Sequence, residues 1–213
     1  EFNRQGLKDI PMIGPLSVSV PGVVDGWFQL HERFGNLEME QLLEPTIRYA
    51  RQGFLVTKVI AHIWETSADK LKDQPNFTST FFPEGTAPSE GTLFRNPDLA
   101  TTLEKIAQEG RDVFYHGTIA QTIDQFCKRV GCFLRARDLD EHSSTWVEPV
   151  SVNYRSYEVW ELPPNGQGIA ALQMLNILEA FDLSSMGHNS VEALHHLVEA
   201  KKIVFEDRAK FYA

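Results

Sequence analysis

Over residues 147–181 the apolar pattern changes from alternation to an all-round helical run without a break, which constrains the fold more than any other stretch. Val150, Val152 and Tyr154 share one face of an extended segment, and residues 157–162 alternate again after the link Arg155-Ser156, so the pair reads as a β-hairpin. The link lacks the Asn-Gly or glycine-rich chemistry that two-residue turns favour. Leu162-Pro163-Pro164-Asn165-Gly166-Gln167-Gly168 then opens into a helix over residues 169–181, apolar on nearly every side through Leu172, Met174, Leu175, Ile177 and Leu178. A helix with no polar face has to lie between layers.

Helical stripes dominate upstream. A first helix has Pro21 in its first turn, Val23, Trp27, Leu30 and Phe34 on its inward face, and Gly35 as its stop. A second, residues 38–50, turns Leu42, Leu43, Ile47, Tyr49 and Ala50 inward and stops at Gly53, with Pro45 predicting a kink or a late start. Phe54-Leu55-Val56 reads as an apolar connector, Thr57 caps a third helix reaching about residue 71, and residues 72–92 read as a loop anchored by Phe81-Phe82. Asn96-Pro97-Asp98 starts a helix with Leu99, Leu103 and Ile106 inward and its end at Gly110. Its neighbour turns Ile119, Ile123, Phe126 and Val130 inward and ends at Gly131. The last helix opens at Asn189 or Ser190, with Glu192 placed for a capping box, and runs inward through Leu194, Leu197, Val198, Val204 and Phe205. Many helices on little sheet indicate the α+β class. Gly6, Pro11, Gly14 and Pro15 make residues 1–18 a poorly packed leading segment of a single partial domain, 1–213.

A net charge of -9 without a block of like charges argues against nucleic acid or an anionic membrane as partner. No stretch approaches the roughly 20 apolar residues that cross a bilayer, so no membrane span is expected. The opening residues, Glu1-Phe2-Asn3-Arg4, lack a signal-peptide layout. Cys127 and Cys132 have neither a disulfide-framework nor a zinc spacing and read as ordinary buried thiols.

Several ordered blocks carry a family resemblance. They are Ser19-Val20-Pro21-Gly22 with Gly26, Ala50-Arg51-Gln52-Gly53-Phe54, Asn96-Pro97-Asp98-Leu99-Ala100 and Phe114-Tyr115-His116-Gly117-Thr118. Tyr154-Arg155-Ser156-Tyr157, Pro163-Pro164 with Gly168, Leu175-Asn176-Ile177-Leu178-Glu179 and Asp207-Arg208 follow in the same order. From about residue 17 onward the chain resembles an interior segment of the large chain of gamma-glutamyltranspeptidases, N-terminal nucleophile hydrolases. That resemblance implies the helix-rich portion of an αββα sandwich and a precursor that cleaves itself. It also implies a small chain of the same precursor, whose first residue, a threonine, attacks a gamma-glutamyl or acyl-amide substrate with its own amino group as base. The arginine that grips the substrate carboxylate lies upstream in the family, and the oxyanion-stabilising glycines lie in the small chain. No catalytic residue is therefore assigned here, and this segment alone is expected to be inactive.

The cleft-lining candidates are Asn165, Gly166, Gln167 and Gly168, in a loop that departs from the Pro-Pro-x-Ser-x-Gly-Gly pattern of many members; turn closure is their plainer role. Ser156 stands where the family usually has glycine. The family is usually exported, which suggests a periplasmic or extracellular setting. Other expectations compete. Gly166-Gln167-Gly168-Ile169-Ala170-Ala171 fits a dinucleotide turn, but Asp182-Leu183-Ser184 leads into another helix where a second strand is needed, so no cofactor is expected. Glu192 with His195 is a single Glu-x-x-His, and His195 and His196 point about 100° apart, so no metal is assigned. Arg208, beside Asp207, reads as part of a helix-terminal charge network, and Trp27, Trp64, Trp146 and Trp160 as core or interface anchors. Open alternatives are a beta-lactam side-chain acylase, a poly-gamma-glutamate hydrolase, or a non-catalytic helical interaction module. A partial sandwich should also self-associate through its bare apolar face.

Overall fold

The computed structural model describes residues 4 and 6–212, so Glu1 and the rest of residues 1–3, with residues 5 and 213, lie outside it. Its contacts divide the chain into two compact units, Glu1–Ser144 and Thr145–Ala213. In the first unit none of the described residues before Val24 is buried, and a 3-10 turn at Pro15–Ser17 precedes α1 (Val23–Phe34). Pro21 lies before this helix rather than in its first turn, and Gly35 ends it. Its buried residues are Val24 and Asp25, whereas Val23, Leu30 and Phe34 are 57%, 53% and 62% exposed. The inward stripe is rotated by one position because an ion pair draws Asp25 into the core, and apolar periodicity ignores a carboxylate.

α2 (Met39–Gln52) starts at a capping box between Glu38 and Gln41 and continues through Pro45, so no late start occurs. Met39 and Ala50 are buried, while Leu42 and Tyr49 face outward. The segment read as a connector is β1 (Phe54–Leu55), paired antiparallel with β2 (Leu93–Phe94) as Phe54↔Phe94 and Leu55↔Leu93. A strand this short is made by a partner distant in sequence, which local pattern does not reveal. α3 (Lys58–Leu71) follows Thr57, and the expected loop contains a further short helix, α4 (Phe77–Phe81). Aromatic packing holds that helix: the Trp64 ring lies 4.8 Å from Phe94 and 6.2 Å from Phe81, and Phe82 is buried.

α5 (Pro97–Glu109) opens at Asn96, whose Oδ1 accepts from the Leu99 amide at 3.0 Å. Leu103 and Ile106 face the core; Leu99 stays 45% exposed. α6 (Asp112–Tyr115), α7 (Thr118–Val130) and α8 (Ala136–Asp140) complete the unit. Gly117 between α6 and α7 lets the chain pass so close to Val113 that a Cβ would sit 2.8 Å from its Cα. α7 buries Ala120, Asp124 and Cys127, the expected Ile119, Ile123 and Val130 pack half-buried against that core, and Phe126 is half-buried. Val24, Ile106, Val113, Tyr115, Cys127, Leu134 and Leu139 belong to one core.

The second unit holds the hairpin. β3 (Val150–Tyr154) pairs antiparallel with β4 (Tyr157–Glu161) in the register Val150↔Glu161, Val152↔Val159, Tyr154↔Tyr157, beginning three residues later than the alternation suggested. Arg155 and Ser156 have φ of 51° and 69°, the left-handed pair that a type I′ turn needs. The tail of the next helix steadies the turn: the Arg155 amide donates to Glu179 Oε2 at 3.0 Å, and its guanidinium donates to the Phe181 carbonyl at 2.5 Å.

α9 (Gly168–Leu178) stops short of residue 181 because a separate turn of helix, α10 (Leu183–Met186), starts at Asp182. α11 (Val191–Phe211) begins at Ser190, whose Oγ accepts from the Ala193 amide at 3.1 Å. Glu192 is the second helical residue, and a capping box needs the third, which is Ala193, so that box does not form. α9 packs against both hairpin strands and α11. Ala170, Leu172 and Leu178 of α9 are buried, as are Ala193, Ala200 and Val204 of α11. Leu194, Leu197, Val198 and Phe205, expected inside, are at least 36% exposed, because small residues let the helices approach closely and take the contact. With two two-stranded antiparallel sheets and many helices among the described residues, the α+β class holds. Among those residues no helix is long and apolar enough to cross a membrane.

Candidate functional site

The most fully assembled polar constellation lies in the first unit and is centred on Asp25, 2% exposed. Arg111, just before α6, donates from Nε to Asp25 Oδ1, and the Ser144 amide donates to Oδ2. The Tyr115 hydroxyl accepts from the Asp25 amide at 3.0 Å and donates to the Pro21 carbonyl at 2.7 Å. The same guanidinium reaches the His142 carbonyl at 2.7 Å and lies 4.5 Å above the Tyr115 ring, and the His142 ring stacks on Tyr115 at 5.3 Å. Burial pushes the Asp25 carboxyl up, but the hydrogen bonds from Ser144 and Arg111 outweigh it and hold the group below the usual carboxylate range. Burial pushes the Tyr115 phenol up. His142 Nε2 has no hydrogen-bond partner and lies 3.9 Å from Asp25 Oδ2.

A general base has to meet a substrate and hold a proton near the working pH. Asp25 is closed off from solvent, engaged at both oxygens and weakened as a base, so the cluster is a clamp fixing α1, α6 and the chain at Ser144. Sequence reading missed it. The available signal was a lone carboxylate inside the apolar run Val23-Val24-Asp25-Gly26-Trp27-Phe28.

The loop chosen from the sequence sits in the second unit. Asn165, Gly166 and Gln167 are exposed and Gly168 is half-buried. Gln167 precedes α9 without a side-chain capping bond, and the residue is exposed. A Cβ on Gly168 would lie 2.9 Å from Glu161 Cβ, closer than the chain tolerates without shifting, so glycine lets the loop fold back against the end of β4. The loop therefore presents two amide side chains from a backbone anchored at one end.

His196 Nδ1 lies 2.9 Å from the Glu192 carbonyl, and its ring is 4.4 Å from Phe181. Among the described residues no group of three or more His, Cys, Asp or Glu side chains is arranged to hold a metal. Arg208 lies over Phe205 at 5.9 Å, and its buried Nε has no hydrogen-bond partner. Trp160 is 55% and Trp146 49% exposed, so of the expected roles, core or interface anchor, neither fills the core one.

The gamma-glutamyltranspeptidase family model matches residues 1–213. The chain belongs to this family. It is 38% identical over 205 residues to a glutathione hydrolase-like proenzyme of Bacillus subtilis, covering 96% of this chain and 39% of that one. Among solved structures it resembles a cephalosporin acylase from Bacillus halodurans, with a TM-score of 0.86 and 36% identity over 99% of this chain and 40% of the other. It also resembles the gamma-glutamyltranspeptidase of Helicobacter pylori, with a TM-score of 0.87 and 28% identity over 97% and 60%. The chain spans about two fifths of the length of the curated relative it matches.

Proposed function

We propose that this chain is a large-chain segment of a gamma-glutamyltranspeptidase-like N-terminal nucleophile hydrolase. The hydrolase cleaves or transfers gamma-glutamyl groups through a threonine on a separate small chain of the same precursor. The observations carrying this reading are a family match over residues 1–213 and an alignment of 96% of this chain with only 39% of a relative named as a proenzyme. In such a site the threonine hydroxyl adds to the amide carbonyl while the threonine's own amino group takes the proton, and water or an acceptor amine then releases the acyl group. This segment contributes framework: the hairpin, α9 and α11 form part of the β and α layers of an αββα sandwich. The loop Asn165–Gly168 forms one wall of the cleft, where the amides of Asn165 and Gln167 hydrogen-bond the bound substrate.

The test is release of chromophore from a gamma-glutamyl anilide. The parent precursor should turn the anilide over, and this chain alone should not; turnover by the isolated chain would defeat the assignment of the nucleophile to another chain. Replacing Asn165 and Gln167 together by alanine in the parent should raise KM with little change in thermal unfolding.

A second reading, an acylase, is supported by the 36% identity to the cephalosporin acylase, close to the 38% to the glutathione hydrolase-like proenzyme. Faster turnover of an acylated beta-lactam than of the anilide by the same parent would select it. A poly-gamma-glutamate hydrolase would be selected by turnover of the polymer. A non-catalytic helical module would be a monomer at all concentrations, whereas a sandwich segment with a bare apolar face should self-associate.

A further inference from the structure

Cys127 and Cys132 are each 3% exposed and stand at the two ends of one helix C-terminus. Gly131, at φ 83°, reverses the chain after α7, and the Cys132 amide donates to the Cys127 carbonyl at 2.9 Å. That six-to-one closure brings the third residue from the helix end and the second residue past it into side-chain contact. Two apolar side chains frequently meet there. Here both positions are cysteines, each a free buried thiol. Arg135 fixes the segment beyond them, its Nη1 donating at 2.7 Å to the carbonyls of both Cys132 and Leu134. The two thiols are not equally placed. Both belong to the core, but Cys132 also lines a cleft of about 290 Å³ walled by Ile13, Val18, Leu71, Phe126 and Val130, which Cys127 does not.

We infer that Cys127 and Cys132 are a dithiol–disulfide pair, oxidised by small uncharged disulfides that enter the apolar cleft and meet Cys132 first. The Cys132 thiolate attacks one sulfur of the reagent R–S–S–R, forming a mixed disulfide and expelling RS⁻. Cys127 then loses its proton, and its sulfur displaces the second RS⁻ from Cys132. The two cysteines give up two electrons and two protons, and the reagent leaves as two RSH. Burial, then the hydrogen bond and charge of Cys132, push the Cys127 thiol up to about 11, so the second displacement is the slow one and speeds up with pH. The product ties the end of α7 to the segment carrying Leu134 and Leu139, both in the core.

The test uses the native parent protein and bis(2-hydroxyethyl) disulfide, followed by alkylation and tryptic mapping. Cleavage after Lys128 and Arg129 separates the two cysteines, so an internal disulfide appears as one linked pair of peptides, 112–128 with 130–135, released by dithiothreitol. The linked pair should form in the folded protein faster at pH 9 than at pH 7. The Cys127→Ser variant should hold the reagent on Cys132, and the Cys132→Ser variant should leave Cys127 unmodified. Both thiols remaining free in the folded protein while linking after unfolding in guanidinium would overturn the inference. A mixed disulfide that persists on Cys132 in the unsubstituted protein would also overturn it, as would modification of Cys127 in the Cys132→Ser variant. The result does not depend on turnover, so it stands apart from the proposed function.

Discussion

In the first unit the core closes around a charge: Asp25 is 2% exposed among Val24, Tyr115 and Leu139, with its oxygens taken by Arg111 and the Ser144 amide. In the second unit the buried residues are Ala170, Leu172, Leu178, Ala193, Ala200 and Val204, none of them polar. The two solutions specify structure differently. A buried carboxylate must find its partners in one geometry, which fixes the register of α1 against α6. Methyl and leucyl surfaces accept small shifts, and the second unit leaves Tyr157, Val191 and Phe211 more than three quarters exposed. Precision in the first unit comes from hydrogen bonds, and in the second from the tight turn and the close approach of two helices.

The largest break of this contrast is Asp25→Ala. Removing one partner strands the Arg111 guanidinium, which is 23% exposed, and breaking such a pair costs about 3–5 kcal/mol. Denaturant unfolding of the parent, with amide exchange in α1 and α6 as the local readout, should show it. A loss under ~1 kcal/mol would mean that packing alone holds the unit. Titration should reach the same interaction. The folded-state Asp25 group lies below its unfolded value of about 3.9, so its contribution is complete above that pH and is lost as pH falls through the folded value. Amide exchange in α1 should therefore accelerate below about pH 4 in the native protein, and Asp25→Asn should remove that step. Asp182 and Glu199 of the second unit are also held low, by Ser184 and Lys202, but they sit at the surface, where solvent screens them.

Matched truncations sharpen the comparison. Leu139→Ala in the first unit and Leu172→Ala in the second remove equally hidden side chains, 0% and 3% exposed. Such changes cost about 2–5 kcal/mol depending on how far the surroundings collapse. Leu139 should fall at the upper end, because the clamp prevents relaxation, and Leu172 at the lower end. Equal costs would remove the distinction. Tyr115→Phe deletes the hydroxyl that joins the Asp25 amide to the Pro21 carbonyl and should cost about 1–3 kcal/mol, read by the same unfolding experiment.

How much of this was legible in the sequence also divides along the two units. The hairpin, α9 and α11 were readable because their signals are local: alternation, a two-residue link, an all-apolar run and Ser190 as cap. The clamp was not, since Asp25, Arg111 and Ser144 are brought together only by the tertiary fold, and an apolar-face rule places Asp25 on the outside. The pairing of β1 with β2 and the short α4 were hidden for the same reason: each is held by partners remote in the chain, Phe94 above all. The loop Asn165–Gly168 was readable as a turn, and the Glu161 contact explains Gly168, but neither pattern nor packing assigns a ligand to it.

The smallest effect sits at the hairpin tip, where the second unit carries strain that the first avoids. Among the described residues Asn76, Arg155, Ser156 and Asn189 are the non-glycine positions with positive φ, and Arg155 and Ser156 are adjacent. Asparagine adopts this conformation readily; serine and arginine do so at a cost of about 1–2 kcal/mol each. Arg155 recovers part of that cost through Glu179 and the Phe181 carbonyl, whereas the hydrogen bonds at the turn leave Ser156 without such a tether. Ser156→Gly should therefore stabilise the second unit by about 1 kcal/mol, with slower amide exchange in β3 and β4 and no change in α1. Arg155→Gly should do the reverse, because it removes the tether together with the strain. If both substitutions stabilised the hairpin equally, the link to α9 would contribute nothing, and the hairpin register would rest on strand pairing alone.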